Sequence, residues 1–262
     1  MKEKQDMKKR NIIRGFLVLV MVVMTGFFIN LEITKADEKN TENYHLIPWD
    51  DGQSGTYWMD GYLYWIDMKK KKISRYSDEE MTKEEVLVEA DKGTCIGECG
   101  LLYDDIIYYV LIDNKTHAGN LYSYNLKSRE SNKLGAAREL QRLEVLVDGK
   151  IYGCGYTKTG NPEVFLYDLK GKKLKQICKN GYFGQIVGKY IAIQTISSSG
   201  KSGMTLYRKS DGQKIKTITS NCSYYEFIDN TFYYVEPIAE FKYKIKSVSY
   251  THLRAHETTL HL

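Results

Sequence analysis

One short unit recurs along most of this chain, and the recurrence limits the possible folds more than any single residue does. Its copies are marked by Gly61-Tyr62-Leu63-Tyr64-Trp65-Ile66, Asp105-Ile106-Ile107-Tyr108-Tyr109-Val110, Gly149-Lys150-Ile151-Tyr152-Gly153-Cys154, Gly188-Lys189-Tyr190-Ile191-Ala192-Ile193 and Asn230-Thr231-Phe232-Tyr233-Tyr234-Val235. Their starts lie 44, 44, 39 and 42 residues apart. That is the period of a four-stranded blade. The fold expected is an all-β propeller of four-stranded antiparallel blades, with four to five blades present and the series truncated during the fifth.

Each unit reads as four strands. In the third, Leu140–Val147 is a strand, Asp148-Gly149 a tight turn and Lys150–Tyr156 a second strand. A polar loop at Thr157–Pro162 leads to Glu163–Leu169 and then Lys172–Cys178. The fourth copy repeats this with Gln185–Val187, Tyr190–Thr195, Met204–Arg208 and Lys214–Thr219. Asp-Gly and Gly-Lys supply the positive φ of two-residue hairpins. The third strand ends in Tyr76, Tyr124, Tyr167 or Tyr207, which fits one recurring position between blades. The run Ile106–Ile112 is apolar on both faces, as a strand sandwiched between two sheets should be.

The ends read differently. Residues 1–36 form a basic n-region, an uncharged apolar run from Phe16 to Ile29, and a Thr34-Lys35-Ala36 site before Asp37. This is the pattern of a secretory signal peptide; an uncleaved N-terminal anchor is the alternative. Residues 37–54 read as a polar linker, residues 55–246 as the propeller repeats. Residues 247–262 read as an artefact: Val248–Thr258 resembles the conceptual translation of a transposase-type sequencing adapter. His252, His256 and Glu257 would otherwise suggest a metal pair on a helix.

Charge names no polyanion partner. The formal +5 resides largely in residues 1–36, whose seven Lys/Arg and three Asp/Glu leave the rest near +1. Nucleic acid is therefore not an expected partner, and a membrane only through the N-terminal segment. The Lys69–Lys72 run reads as a solvated hairpin tip. Five cysteines (Cys95, Cys99, Cys154, Cys178, Cys222) include no C-x-x-C pair, so they read as buried thiols, with one disulfide such as Cys95–Cys99 as the alternative. No metal or cofactor is expected.

The first copy carries a family resemblance. Leu63-Tyr64-Trp65-Ile66-Asp67 followed by Lys72-Ile73-Ser74-Arg75 resembles the YWTD repeat of low-density-lipoprotein-receptor propellers, with Ile66 in place of Thr. Later copies keep only an aromatic pair. The chain is similar over residues 55–246 to a secreted bacterial family of YWTD-like propellers of uncharacterised function. The resemblance implies a six-bladed ring and a binding role, and transfers no site residue.

Several local patterns have bland readings. Gly200-Lys201-Ser202 echoes a phosphate loop but lacks its first glycine, since Thr195 stands there. His45 and His117 lie in polar segments away from any nucleophile elbow. Glu98, Asp104, Asp105, Glu144 and Asp148 are the candidates for a carboxylate pair, and they mostly adjoin turns. Tyr57, Trp58, Tyr62, Tyr64 and Trp65 suit either a sugar platform or packing between blades. No catalytic residue is assigned, and the ligand-binding residues stay unknown. Binding is expected on the loops between second and third strands: Asn114–Ala118, Thr157–Pro162, Ser197–Ser202 and Glu236–Glu240.

The function expected is non-catalytic binding of an extracellular protein, peptide or glycan, secreted or anchored at the surface of a Gram-positive bacterium. The alternative is a propeller-fold glycan hydrolase or lyase, its acids in the channel or in further blades. A scaffold or sensor domain is a third reading.

Overall fold

The computed structural model describes residues 44–47, 58–59 and 61–249, the last without 68, 70, 79, 223, 229–230 and 240–241. These residues form one unit. The expected signal segment, Tyr57, the three C-terminal histidines and most of the adapter-like tail lie outside the described residues.

After a short strand β1 (Tyr44–Ile47), the chain makes five sheets in sequence order. The first holds β2 (Trp58–Met59), β3 (Tyr62–Asp67), β4 (Lys72–Tyr76) and β5 (Glu84–Glu89). In the second, β6 (Thr94–Ile96) and β7 (Gly100–Tyr103) share one edge of β8 (Ile106–Asp113), followed by β9 (Gly119–Asn125) and β10 (Glu130–Ala136). The third is β11 (Leu140–Val147), β12 (Lys150–Tyr156), β13 (Pro162–Asp168) and β14 (Lys173–Cys178). The fourth is β15 (Gly181–Val187), β16 (Tyr190–Ile196), β17 (Ser202–Arg208) and β18 (Lys214–Thr219). Three strands form the fifth: β19 (Tyr224–Ile228), β20 (Thr231–Ala239) and β21 (Lys242–Ser249). Antiparallel meanders of this kind, stacked face to face, are the blades of a β-propeller.

The core lies between the sheets. Side chains alternate along each second strand. Tyr152 and Cys154 point forward, against Ile191, Ile193 and Tyr207 of the fourth sheet. Ile151 packs backward, with Leu101, Tyr108 and Val110 of the second sheet. The third-strand tyrosines occupy the backward side: Tyr124 packs between sheets one and two, Tyr167 between two and three, Tyr207 between three and four. Each blade thus needs its neighbour to dry its faces.

Three boundaries differ from the sequence reading. Within the segment read as a linker, β1 pairs with β7, from Tyr44 opposite Tyr103 to Ile47 opposite Gly100. Three of its four residues are apolar, and Ile47 is fully buried, which outweighs the polar surroundings. β20 runs to Ala239 through the expected loop Glu236–Glu240, because Glu236 and Pro237 pair with Lys244 and Tyr243. β21 continues past residue 246, setting Ser247, Val248 and Ser249 opposite Tyr233, Phe232 and Thr231. Backbone pairing asks only for an extended chain, whatever its side chains.

All five cysteines are free thiols, four of them buried, so the Cys95–Cys99 bridge is not formed.

Candidate functional site

Loops between second and third strands gather on one side of the second and third blades, and a cavity of about 980 Å³ opens between them. Thr116, His117 and Ala118 supply one wall from the β8–β9 loop. Arg138, Glu139 and Gln141, at the entry to β11, make the floor, while Tyr156, Thr157 and Lys158 form the far wall. Two of the expected binding loops therefore border it. The third borders a smaller polar cavity of about 190 Å³ in the fourth blade.

Both walls are braced from within. Asp113 accepts from the Lys115 and Thr116 amides at 3.0 and 2.7 Å and from the Thr116 hydroxyl at 2.9 Å. The bonds from Thr116 and Lys115 hold its carboxyl below the usual range. His117 sits at φ 56, turning the chain back toward β9. On the far wall, the Thr157 hydroxyl accepts from the Thr159 and Asn161 amides at 3.3 and 3.0 Å. The Gly160 amide closes onto the Thr157 carbonyl at 2.9 Å, with Gly160 at φ 80. The Gly200-Lys201-Ser202 segment belongs to an equivalent turn, in which the Ser197 hydroxyl accepts from the Lys201 amide at 3.0 Å.

The floor is wedged by glycines. A Cβ on Gly97 would lie 2.2 Å from the Gln141 carbonyl oxygen, on Gly119 2.2 Å from that of Leu140, and on Gly155 1.5 Å from that of Glu139. No side chain fits at these places, so the second blade and β12 close directly on the backbone of 139–141. The Glu98 amide donates to the Gln141 carbonyl at 3.2 Å across the two blades.

Charge on the cavity lining is unevenly committed. Glu139 accepts from Lys173 at 2.7 Å and from the Tyr167 hydroxyl at 3.3 Å. Burial opposes its charge, but these partners outweigh it and leave its pKa lowered. Glu163 accepts from the Gln176 amide at 2.6 Å. Arg138 and Lys158 are exposed, and among the described residues their side chains make no ion pair or hydrogen bond.

Next to the floor, the first strands of two blades bring together acids that the sequence left scattered. Arg142 Nε donates to Glu144 at 2.6 Å and Nη1 to Glu98 at 3.4 Å. Burial raises the Glu144 pKa despite Arg142. Burial works against the Arg142 charge too, yet the Glu144 and Glu98 carboxylates keep its pKa high. Cys154 shares a hydrogen bond with Glu144, and burial pushes its thiol well up, so it stays protonated and unreactive. Tyr156 and Tyr182 adjoin in an edge arrangement with centroids 6.4 Å apart. Asp104 and Asp148 instead occupy hairpin tips at φ 51 and 50, and Asp105 pairs with Lys127.

The remaining candidates separate. His45 is exposed on β1, away from His117 on the cavity wall. Tyr64 is buried between blades, Trp58 is 44 % exposed, and Arg75 covers the Tyr62 ring at 4.1 Å. Among the described residues no group of acids, histidines or cysteines is arranged to hold a metal ion.

No family model matches this sequence, and no curated protein does. Among solved structures, the chain is similar to oligopeptidase B from Leishmania major, at 7% identity over 81% of this chain and 33% of that one, with a TM-score of 0.55. It is also similar to an oligogalacturonate lyase from Vibrio parahaemolyticus, at 9% identity over 74% of this chain and 61% of that one, with a TM-score of 0.51. A weaker likeness, TM-score 0.42 and 11% identity over 74% of each chain, is to a nidogen/laminin complex. The chain spans about a third of the peptidase and three-fifths of the lyase. At these identities the likeness concerns the fold.

Proposed function

We propose that this is an exported, non-catalytic binding propeller of the bacterial cell surface, with its ligand seated in the cavity between the β8–β9 and β12–β13 loops. The supporting observation is a large cavity with internally braced walls and uncommitted donors on a scaffold of stacked sheets. Loops held this firmly bind without first paying an ordering entropy. The N-terminal sequence pattern supports export.

A test is to immobilise the full chain and screen extracellular glycans and peptides for binding. Ala118→Trp sets an indole at the cavity wall and should weaken a genuine ligand by about tenfold or more. Ser199→Trp, on the corresponding loop of the fourth blade, should leave it unchanged. A ligand indifferent to Ala118→Trp refutes the location.

The convergence of Glu98 and Glu144 on Arg142 favours a second reading, a glycan hydrolase or lyase. Both acids are engaged by one guanidinium, which offsets their charge and leaves less of it for chemistry. Ligand cleavage that disappears with Glu144→Gln would establish that reading instead.

A further inference from the structure

We infer that the cavity between the second and third blades is selective for an acidic oligosaccharide, a sugar chain bearing carboxylates. This rests on the binding reading above and narrows it to one ligand class.

The charges point to an anion. Glu139 is paired with Lys173, whereas Glu163 accepts only from the neutral Gln176 amide, so the lining sets one charged carboxylate against two cations. Arg138 and Lys158 are not engaged among the described residues. A neutral ligand would leave both cations with water alone. A carboxylate beside Arg138 completes a bidentate, charge-assisted pair, and Lys158 offers a second point charge.

The remaining chemistry favours a sugar over a peptide. An extended peptide that is held by its backbone pairs with a free strand edge. Neither wall offers one: the Asp113 amide donates to the Ala118 carbonyl at 3.0 Å, and the Thr157 amide to the Asn161 carbonyl at 2.9 Å. Recognition must come from side chains. The Thr116 and Thr157 hydroxyls are engaged in bracing the walls, so Gln141 brings the amide that meets sugar hydroxyls, and Tyr156 brings an aromatic ring. The volume, about 980 Å³, lies at the upper end of ligand cavities and has room for several rings.

The test is calorimetric titration of the full chain with two oligosaccharides of equal length, an oligomannuronate and a neutral mannan oligosaccharide. They differ in carboxylates. Oligoglutamate and glycerol-phosphate oligomers serve as acidic probes without uronate rings. The oligomannuronate should bind about tenfold tighter than the mannan oligosaccharide, and more weakly as salt rises. Arg138→Ala combined with Lys158→Ala should remove that advantage; both sites are exposed, so the fold should persist. Equal affinity for the two oligosaccharides overturns the inference. So does an oligoglutamate or glycerol-phosphate affinity matching the uronate's, an advantage that survives the double variant, or no uronate binding at all. Mannan binding that Ala118→Trp abolishes would preserve the cavity as a site while removing its acidic selectivity.

Discussion

Gly155→Ala should destabilise the protein by roughly 3 kcal/mol or more, one of the largest effects available to a single methyl group here. The added Cβ would stand 1.5 Å from the Glu139 carbonyl oxygen and 2.6 Å from its carbon. Both are backbone atoms, so no side chain can swing aside. The strand entry at 139–141 would have to move, and with it the contacts to Gly97 and Gly119. Gly149→Ala makes the contrasting control. Gly149 sits at φ 66 with nothing within 4 Å of the added atom, so only backbone strain of about 1 kcal/mol applies. Urea unfolding followed by circular dichroism measures both. Equal midpoints for the two variants would mean that the blades do not close on this backbone as described.

Alkali should unfold the protein abruptly. Burial raises the pKa of Tyr76 to about 12, helped by the bond from its hydroxyl to Glu84. Burial pushes Tyr152, Tyr167 and Tyr207 up as well, and Tyr108 and Tyr109 with them. An unfolded tyrosine titrates near 10. The folded state holds these protons more tightly, so their contribution is complete below about pH 10 and is lost as pH climbs toward 12 and beyond. A tenfold difference in proton affinity between the folded and unfolded states corresponds to roughly 1.4 kcal/mol, and several tyrosines act together. The urea midpoint should stay level through neutral pH and collapse above about pH 10, with tyrosinate absorbance rising in the same step. Gradual tyrosinate formation in a protein that stays folded would contradict the burial of these hydroxyls.

The tyrosines show what the sequence makes legible. Tyr124, Tyr167 and Tyr207 recur at one place in the repeat, and that place is the backward side of each blade. β11 and β12 have the expected ends, because Asp148-Gly149 and the apolar runs beside it leave little choice. The cavity walls are legible as polar loops between strongly patterned strands.

The floor is not legible. Gly97, Gly119 and Gly155 look like ordinary strand and loop residues, and only three-dimensional closeness shows that a methyl cannot fit. β1 is inconspicuous because four residues carry too little periodicity to register as a strand. The Glu98–Arg142–Glu144 cluster does leave a signal in the sequence, of a subtler kind. Glu98 and Arg142 are 44 residues apart, one full repeat, and so are Glu85 and Arg129, which pair across the first two blades at 2.9 Å. Opposite charges one period apart, at matching places in successive blades, mark a contact between those blades from residue spacing alone.

Native-state hydrogen exchange on the full chain tests most directly whether these sheets stabilise one another by stacking. Amides of β8, β12 and β16, each a second strand buried between neighbours, should exchange slowest and share one opening free energy. Gly155→Ala should lower that shared value in all three strands together, although the substitution lies only in β12. Separate opening free energies for the three sheets, or a loss confined to the third, would contradict a single stacked body.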